Sequence, residues 1–236
     1  MNNGWINDSE RDAFYKIVHA RRDVRSFFKP DPVPSEALAR VLRAAHHAGS
    51  VGYMQPWNFV VVEDPALRLK VKESFEKEKA EAALLFDEPK QRRYRSFKLE
   101  GILEAPVNLI VTCDSSRHGP QVIGRRSMPE TDLYSTCLAI QNLWLAARAE
   151  NLGLGWVSIV KPEDLHAIFG VPREITVVAY LCLGYVSEFP LEPDFERLGW
   201  LKRLPLKDLV FFEKWGDAKP SEGREDLPGL LGGEKK

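Results

Sequence analysis

The sequence predicts an α+β fold, with helices packed around a short, mixed and mainly antiparallel sheet. Three observations predict it. Short β-branched or apolar runs, at Asn58 to Glu63, Val107 to Cys113 and Ile175 to Leu183, have strand length and are bounded by turn residues. Longer segments between them carry helical spacing with caps at their ends. One long helix, from about Glu130 to Asn151, is apolar nearly all round and so belongs at the centre of the fold or at a subunit interface. No internal repeat and no linker precedes residue 217, so residues 1–216 read as one domain and 217–236, charged and rich in Gly and Pro, as a disordered tail.

The elements follow in order. Ser9 can cap a first helix whose apolar stripe is Phe14, Ile17 and Val18. Ser35 can cap a second, with Leu38, Val41, Leu42 and Ala45 inside. The prolines at 30, 32 and 34 force an extended connection between them. After the strand at Asn58 to Glu63, Pro65 opens a charged helix reaching about Phe86. Residues 87–104, with Arg92, Arg93, Tyr94 and Arg95, suit a mobile helix or a lid over a site. Val107 to Cys113 is a buried strand, and the long helix follows it. Gly153 and Gly155 are expected to end that helix as a cap and tight turn before a strand from Trp156 to Val160. Pro162 and Gly170 bracket a short helix, Ile175 to Leu183 is a buried strand, and Leu206 to Phe212 is a last helix or strand.

Composition narrows the function. With 236 residues and 44% hydrophobic content the chain can bury a sizeable core. A formal net charge of -1 lacks the basic footprint of a nucleic-acid or membrane-surface binder. Met1 to Trp5 has no signal-peptide character, and the longest apolar run, Ile175 to Val186, is too short to span a bilayer. Cys113, Cys137 and Cys182 lie far apart in apolar segments and read as reduced core residues. A cytoplasmic protein is expected. No metal is expected either: the adjacent His46 and His47 diverge on a helix, and no third ligand stands near them.

Two motifs carry chemistry. In Arg21-Arg22-Asp23-Val24-Arg25, three guanidinium groups surround one carboxylate. Arginine donates in a planar fork and is always charged, which suits a phosphate or another oxyanion. Asp23 weakens that field and needs a separate purpose. In an extended chain Arg21, Asp23 and Arg25 share one face, and Arg22 points away. The second motif runs from Ser50 to Phe59, Ser-Val-Gly-Tyr-Met-Gln-Pro-Trp-Asn-Phe. Gly52 permits a close backbone approach, Gln55 can both donate and accept, and Pro56 and Trp57 make a stiff anchor. Gly153-Leu154-Gly155 is no dinucleotide loop, since it follows a helix and the third glycine position holds Ser158.

These two motifs, with Gly153-Leu154-Gly155-Trp156 after a long helix, resemble the flavin-dependent nitroreductase superfamily. That superfamily has serine where Asp23 stands and asparagine where Tyr53 stands. Both departures, together with Ser50-Val51-Gly52 and the stretch Gly155 to Ile159, look like the 5,6-dimethylbenzimidazole synthases, the BluB group. The resemblance covers residues 9 to 216 and implies a nitroreductase-like homodimer with FMN bound between subunits. It implies that Arg21, Arg22 and Arg25, with Asp23 and Val24 in the same segment, meet the phosphate, ribityl chain or pyrimidine edge of the flavin. Arg203 matches a late phosphate contact, with Arg197 next in line. Ser50 and Gln55 map to a loop near the flavin, and Ser96 to the covering lid.

The implied reaction uses reduced FMN as substrate and O2 as co-substrate, and a separate flavin reductase supplies the reduced FMN. The products are 5,6-dimethylbenzimidazole, the lower ligand of vitamin B12, and erythrose 4-phosphate. Breaking ribityl carbon bonds needs proton transfer at sugar hydroxyls. A carboxylate can accept such a proton and an unaided serine cannot, so Asp23 is expected as the base or as the orienter of the ribityl chain. Ser158 can donate a hydrogen bond to the flavin edge or to the reacting oxygen. The alternatives are an NAD(P)H-dependent nitroreductase or flavin reductase, a reductive dehalogenase of the iodotyrosine type, and a flavin carrier without turnover.

Overall fold

Val107–Cys113 is buried at every position, and that fixes it as an inner strand, covered on both faces. It is β2 of the computed structural model, which describes residues 4–232. The chain divides into a larger unit ending at Leu191 and a smaller one starting at Glu192. In the larger unit β2 pairs with β1 (Trp57–Val62) in the register Trp57↔Cys113 and with β4 (Thr176–Tyr185) in the register Val107↔Leu183. The outer side of β4 pairs with β3 (Leu152–Val157), Leu152 opposite Tyr185. The order is therefore β1-β2-β4-β3, all antiparallel, with β1 and β3 at the edges.

Helices cover both faces. Alternate residues of β2, Val107, Leu109 and Val111, meet Ile140, Leu143 and Ala147 of α5 (Thr131–Ala149) and Val41 and Ala45 of α2 (Ser35–His46). The other face carries Asn108, Ile110, Thr112 and, from β4, Tyr180, whose ring lies 6.4 Å from Phe169 at the end of α6 (Pro162–Phe169). The long α3 (Pro65–Ala83) buries Val71 and Phe75 and is followed by α4 (Glu88–Ser96). The first helix, α1 (Asp8–Ala20), starts at a capping box of Asn7 and Glu10, two residues earlier than the Ser9 cap expected. Ser35 stands inside α2, and Pro34 holds its cap position without a side-chain bond.

Three further sequence expectations are corrected. Gly153 and Gly155 lie inside β3 rather than in a turn, because residues 23–24 run against them: a Cβ on Gly155 would strike the carbonyl oxygen of Val24. The helix before them ends instead at Ala149, and Asn151 takes the left-handed turn at φ 55°. Cys137 is exposed, while Cys113 and Cys182 are buried. The apolar residues of α5 face two ways, and Cys137 falls on the side with Leu133, Tyr134 and Leu138, which leave the core. Among its described residues the smaller unit holds two short helices, α7 (Asp194–Arg197) and α8 (Leu227–Leu231). Between them Leu206 to Leu209 forms a 3-10 turn and not the longer element expected there.

Candidate active site

The first patch is built where α1 ends. Arg21 leaves the helix at ψ 133°, and the extended chain that follows lies along the free edge of β3. Asp23 bridges Leu154 in the parallel sense, and the Val24 N–H donates to the Leu154 carbonyl at 3.0 Å. The next outward N–H of the edge, that of Trp156, donates to Oδ1 of Asp23 at 3.1 Å. The Asp23 carboxylate thus substitutes for a strand carbonyl. Its Oδ2 accepts from Nη2 of Arg25, and the two side chains keep 26% and 14% of their exposure, so both reach solvent at one spot.

The neighbouring arginines differ in what they touch. The Arg21 guanidinium lies over the Trp144 ring, 4.9 Å from its centroid, and the Trp144 indole N–H donates to the Arg22 carbonyl at 3.1 Å. Arg22 donates to the carbonyls of His19 and Arg21, each at 2.7 Å, and to that of Leu191 at 2.5 Å. It therefore ties the end of α1 to the end of the larger unit. Val24 is buried at 2% exposure and anchors the segment.

The second patch is the loop from α2 to β1. Its backbone is left-handed at Gly52 (φ 58°), Tyr53 (φ 55°) and Gln55 (φ 48°). Two of these residues have side chains, so surrounding groups must hold the shape. Ser50 does part of this, its Oγ accepting the Gln55 N–H at 2.7 Å. The Val51 N–H donates to Ser135 Oγ at 3.2 Å, which fastens the loop to α5. Arg117 donates to the carbonyls of Gln55 and Trp57 at 2.7 and 3.0 Å and to Asn58 Oδ1 at 2.5 Å. The Gln55 side chain lines a pocket of about 270 Å³ with Leu42, His46, Trp57, Phe59 and Arg117. His46 has a structural partner there, its Nδ1 accepting the Trp57 indole N–H at 3.2 Å.

The sequence therefore yields two groupings on one chain: Arg21, Arg22, Asp23, Val24 and Arg25 against β3, and Ser50 with Gln55 in the loop. Ser158 is exposed just past the end of β3, two residues beyond the Trp156 N–H that Asp23 holds. Ser96 ends α4, its hydroxyl donating to the Arg93 carbonyl at 2.7 Å. Arg203 and Arg197 belong to the smaller unit, where Arg197 pairs with Asp194 at 2.8 Å. Sequence reasoning missed Arg117 and Arg125, which stand in a polar stretch without periodicity. Asp132 is buried and pairs with Arg125 at 3.1 Å. Among the described residues no three His, Cys, Asp or Glu side chains gather to hold a metal, and no helix is long and apolar enough to cross a membrane.

The two patches sit on opposite flanks of α5. Ser135 fastens one and Trp144 the other. Nine helical residues are about 13 Å of rise and about half a turn of net rotation. The donor set suits an anionic, polyol-bearing aromatic: fixed guanidinium forks and a carboxylate in the first patch, and a bent, amide-bearing loop beside aromatic rings in the second.

The nitroreductase family model matches residues 18–185. The chain is 46% identical over 200 residues to a 5,6-dimethylbenzimidazole synthase of Rhodospirillum rubrum, covering 85% of this chain and 94% of that one. To a 5,6-dimethylbenzimidazole synthase of Rhodobacter capsulatus it is 39% identical over 203 residues, 86% and 97% of the two chains. In structure it is similar to oxidized iodotyrosine deiodinase bound to FMN and 3-iodo-L-tyrosine, with a TM-score of 0.63 and 24% identity over 75% of this chain and 91% of that one. The family match takes in α5, the whole sheet and both patches, so the chain belongs to the nitroreductase family.

Proposed function

We propose that this chain is an enzyme that fragments reduced FMN with O2, giving 5,6-dimethylbenzimidazole and erythrose 4-phosphate for the lower ligand of vitamin B12. The observation that carries the reading is the Asp23 carboxylate, placed beside Arg25 at the end of β3 where related reductases are expected to have serine. The identity of 46% with a 5,6-dimethylbenzimidazole synthase supports the same reading. An NAD(P)H-dependent nitroreductase or flavin reductase would use the same fold, but it gives Asp23 no task.

Bound reduced FMN supplies the electrons and the carbon skeleton. The residues of the chain bind and position it. Arg21 and Arg25 present guanidinium groups to the anionic portions of the flavin. A carboxylate has about four lone-pair sites. Asp23 sets one oxygen against the Trp156 N–H and the other against Arg25, and as a carboxylate at that spot it accepts a ribityl hydroxyl proton. Ser158 donates a hydrogen bond at the flavin edge. The charged α4 with Ser96 covers the site and excludes water. The opposite placement of the two patches on α5 suits a homodimer in which the loop at 50–55 faces the flavin held by the other copy. The flavin-binding domain is residues 1–216, with 217–236 as a tail outside it. The setting is cytoplasmic, the reduced FMN comes from a separate flavin reductase, and no metal takes part.

The test is to mix purified protein with reduced FMN, admit air and follow the products by mass spectrometry. The expected result is loss of FMN matched by 5,6-dimethylbenzimidazole. Recovery of intact FMN while NAD(P)H is oxidised would assign the chain to the ordinary reductases.

A further inference from the structure

We infer that Arg117 is a positioning residue for the flavin-facing loop, and that the Arg125–Asp132 ion pair is its footing. The inference rests on the reading of residues 50–55 as that loop. Gln55 adopts φ 48°, a conformation that residues with a Cβ seldom take, and Tyr53 adopts φ 55° two positions earlier. Few local contacts favour such a bend. The Ser50 hydroxyl takes the Gln55 N–H, and the Gln55 carbonyl is taken by Arg117 Nη1 at 2.7 Å. The same guanidinium reaches the Trp57 carbonyl and Asn58 Oδ1, so one planar fork spans both ends of the Gln55-Pro56-Trp57 corner. A lysine is a single point donor and cannot reproduce that span.

Arg117 is itself held. Arg125 donates to the Arg117 carbonyl at 3.2 Å and to the Gly119 carbonyl, closing the turn that carries Arg117. It also reaches Asp132 Oδ1 at 3.1 Å, and it meets the sulfur of Met54 at 3.1 Å. Asp132 is 4% exposed and Met54 is fully buried. A continuous path therefore runs from the first turn of α5, through Asp132, Arg125 and Arg117, to the backbone of Gln55. Their effect falls on the shape of the loop, and through it on flavin affinity.

The test uses the purified full chain, with FMN binding read by quenching of its fluorescence and turnover read with reduced FMN in air. Arg117→Lys is expected to weaken FMN binding about tenfold and to raise the KM for reduced FMN more than it lowers kcat. Adding Gln55→Asn should restore much of that loss, because asparagine enters the left-handed region more easily and keeps an amide. A merely structural role for Arg117 would lower Tm without that rescue. Unchanged FMN affinity in Arg117→Lys, or no recovery in the double variant, overturns the inference. If Arg117→Lys does not fold, Asn58→Ala removes one of the three acceptors. It should weaken FMN binding in the same direction, and wild-type affinity in Asn58→Ala then overturns the inference. A wild-type chain that binds FMN but returns it intact removes the proposed function and leaves the Arg117 result standing. A wild-type chain that binds no FMN overturns both.

Discussion

At the residue scale Asp23 has two roles that can be separated. Its Oδ1 completes the edge of β3 through the Trp156 N–H, and its charge faces Arg25. Asparagine keeps a carbonyl oxygen for the N–H and removes the charge. Asp23→Asn is expected to fold and to bind FMN within a few-fold of wild type, while fragmentation falls by about a hundredfold or more, the usual worth of a positioned base. Product yield at wild-type level in that variant would remove Asp23 from the chemistry. Asp23→Ser should likewise keep FMN and lose fragmentation. Asp23 stood out in the sequence because an acid among three arginines is electrostatically odd. Its bond to Trp156 did not, since a separation of 133 positions gives no local signal and the contact exists only once β3 is an edge strand. Arg117 was invisible for the same reason: its partners are carbonyls of residues about 60 positions away.

At the element scale the informative case is β3. β2 was read at its full extent, because five apolar positions in a seven-residue run between turn signals permit little else. β3 was read four residues late, because two glycines after a helix suggest a cap. The glycines belong to the strand because the 23–24 segment lies against it, a tertiary cause that propensity cannot register. Gly155→Ala tests this. The added methyl would meet the Val24 carbonyl, which is backbone and cannot swing aside. Overpacking of this kind costs about 1–3 kcal/mol, and in a chain of this size that lowers Tm by roughly 2–12 °C. The same variant should weaken FMN binding, because pushing Val24 away moves Asp23 and Arg25 with it. A Gly155→Ala protein with wild-type Tm and wild-type FMN affinity would show that the segment does not lie against β3 in solution.

At the scale of the whole molecule the question is what limits stability as pH falls. Glu100 is 2% exposed, and its carboxylate accepts from Lys72 and Lys98, each at 2.8 Å, and from the Ile102 N–H at 2.7 Å. Burial pushes its pKa up, but the two ammonium groups and the backbone N–H outweigh burial and hold it below the ordinary 4.5. The unfolded chain therefore binds the Glu100 proton more readily than the folded one. The contribution of this carboxylate to stability is fully present above about pH 4.5 and is lost as pH falls through the lower folded value. Both lysines are raised in turn, so their share is present at neutral pH and is lost only as pH climbs above the ordinary 10.5. This one network joins α3 to the segment that leads from α4 into β2, so its loss loosens the larger unit rather than a single turn. Glu100→Gln keeps the shape and removes the charge that both lysines need. It should cost about 3 kcal/mol, a Tm lower by roughly 6–12 °C at pH 7. Below pH 4 the gap to wild type should narrow, because the wild-type carboxyl is by then losing its own charge. Thermal melts of both proteins from pH 3 to pH 8 check this, and parallel curves across that range would exclude Glu100 as the acid-sensitive group.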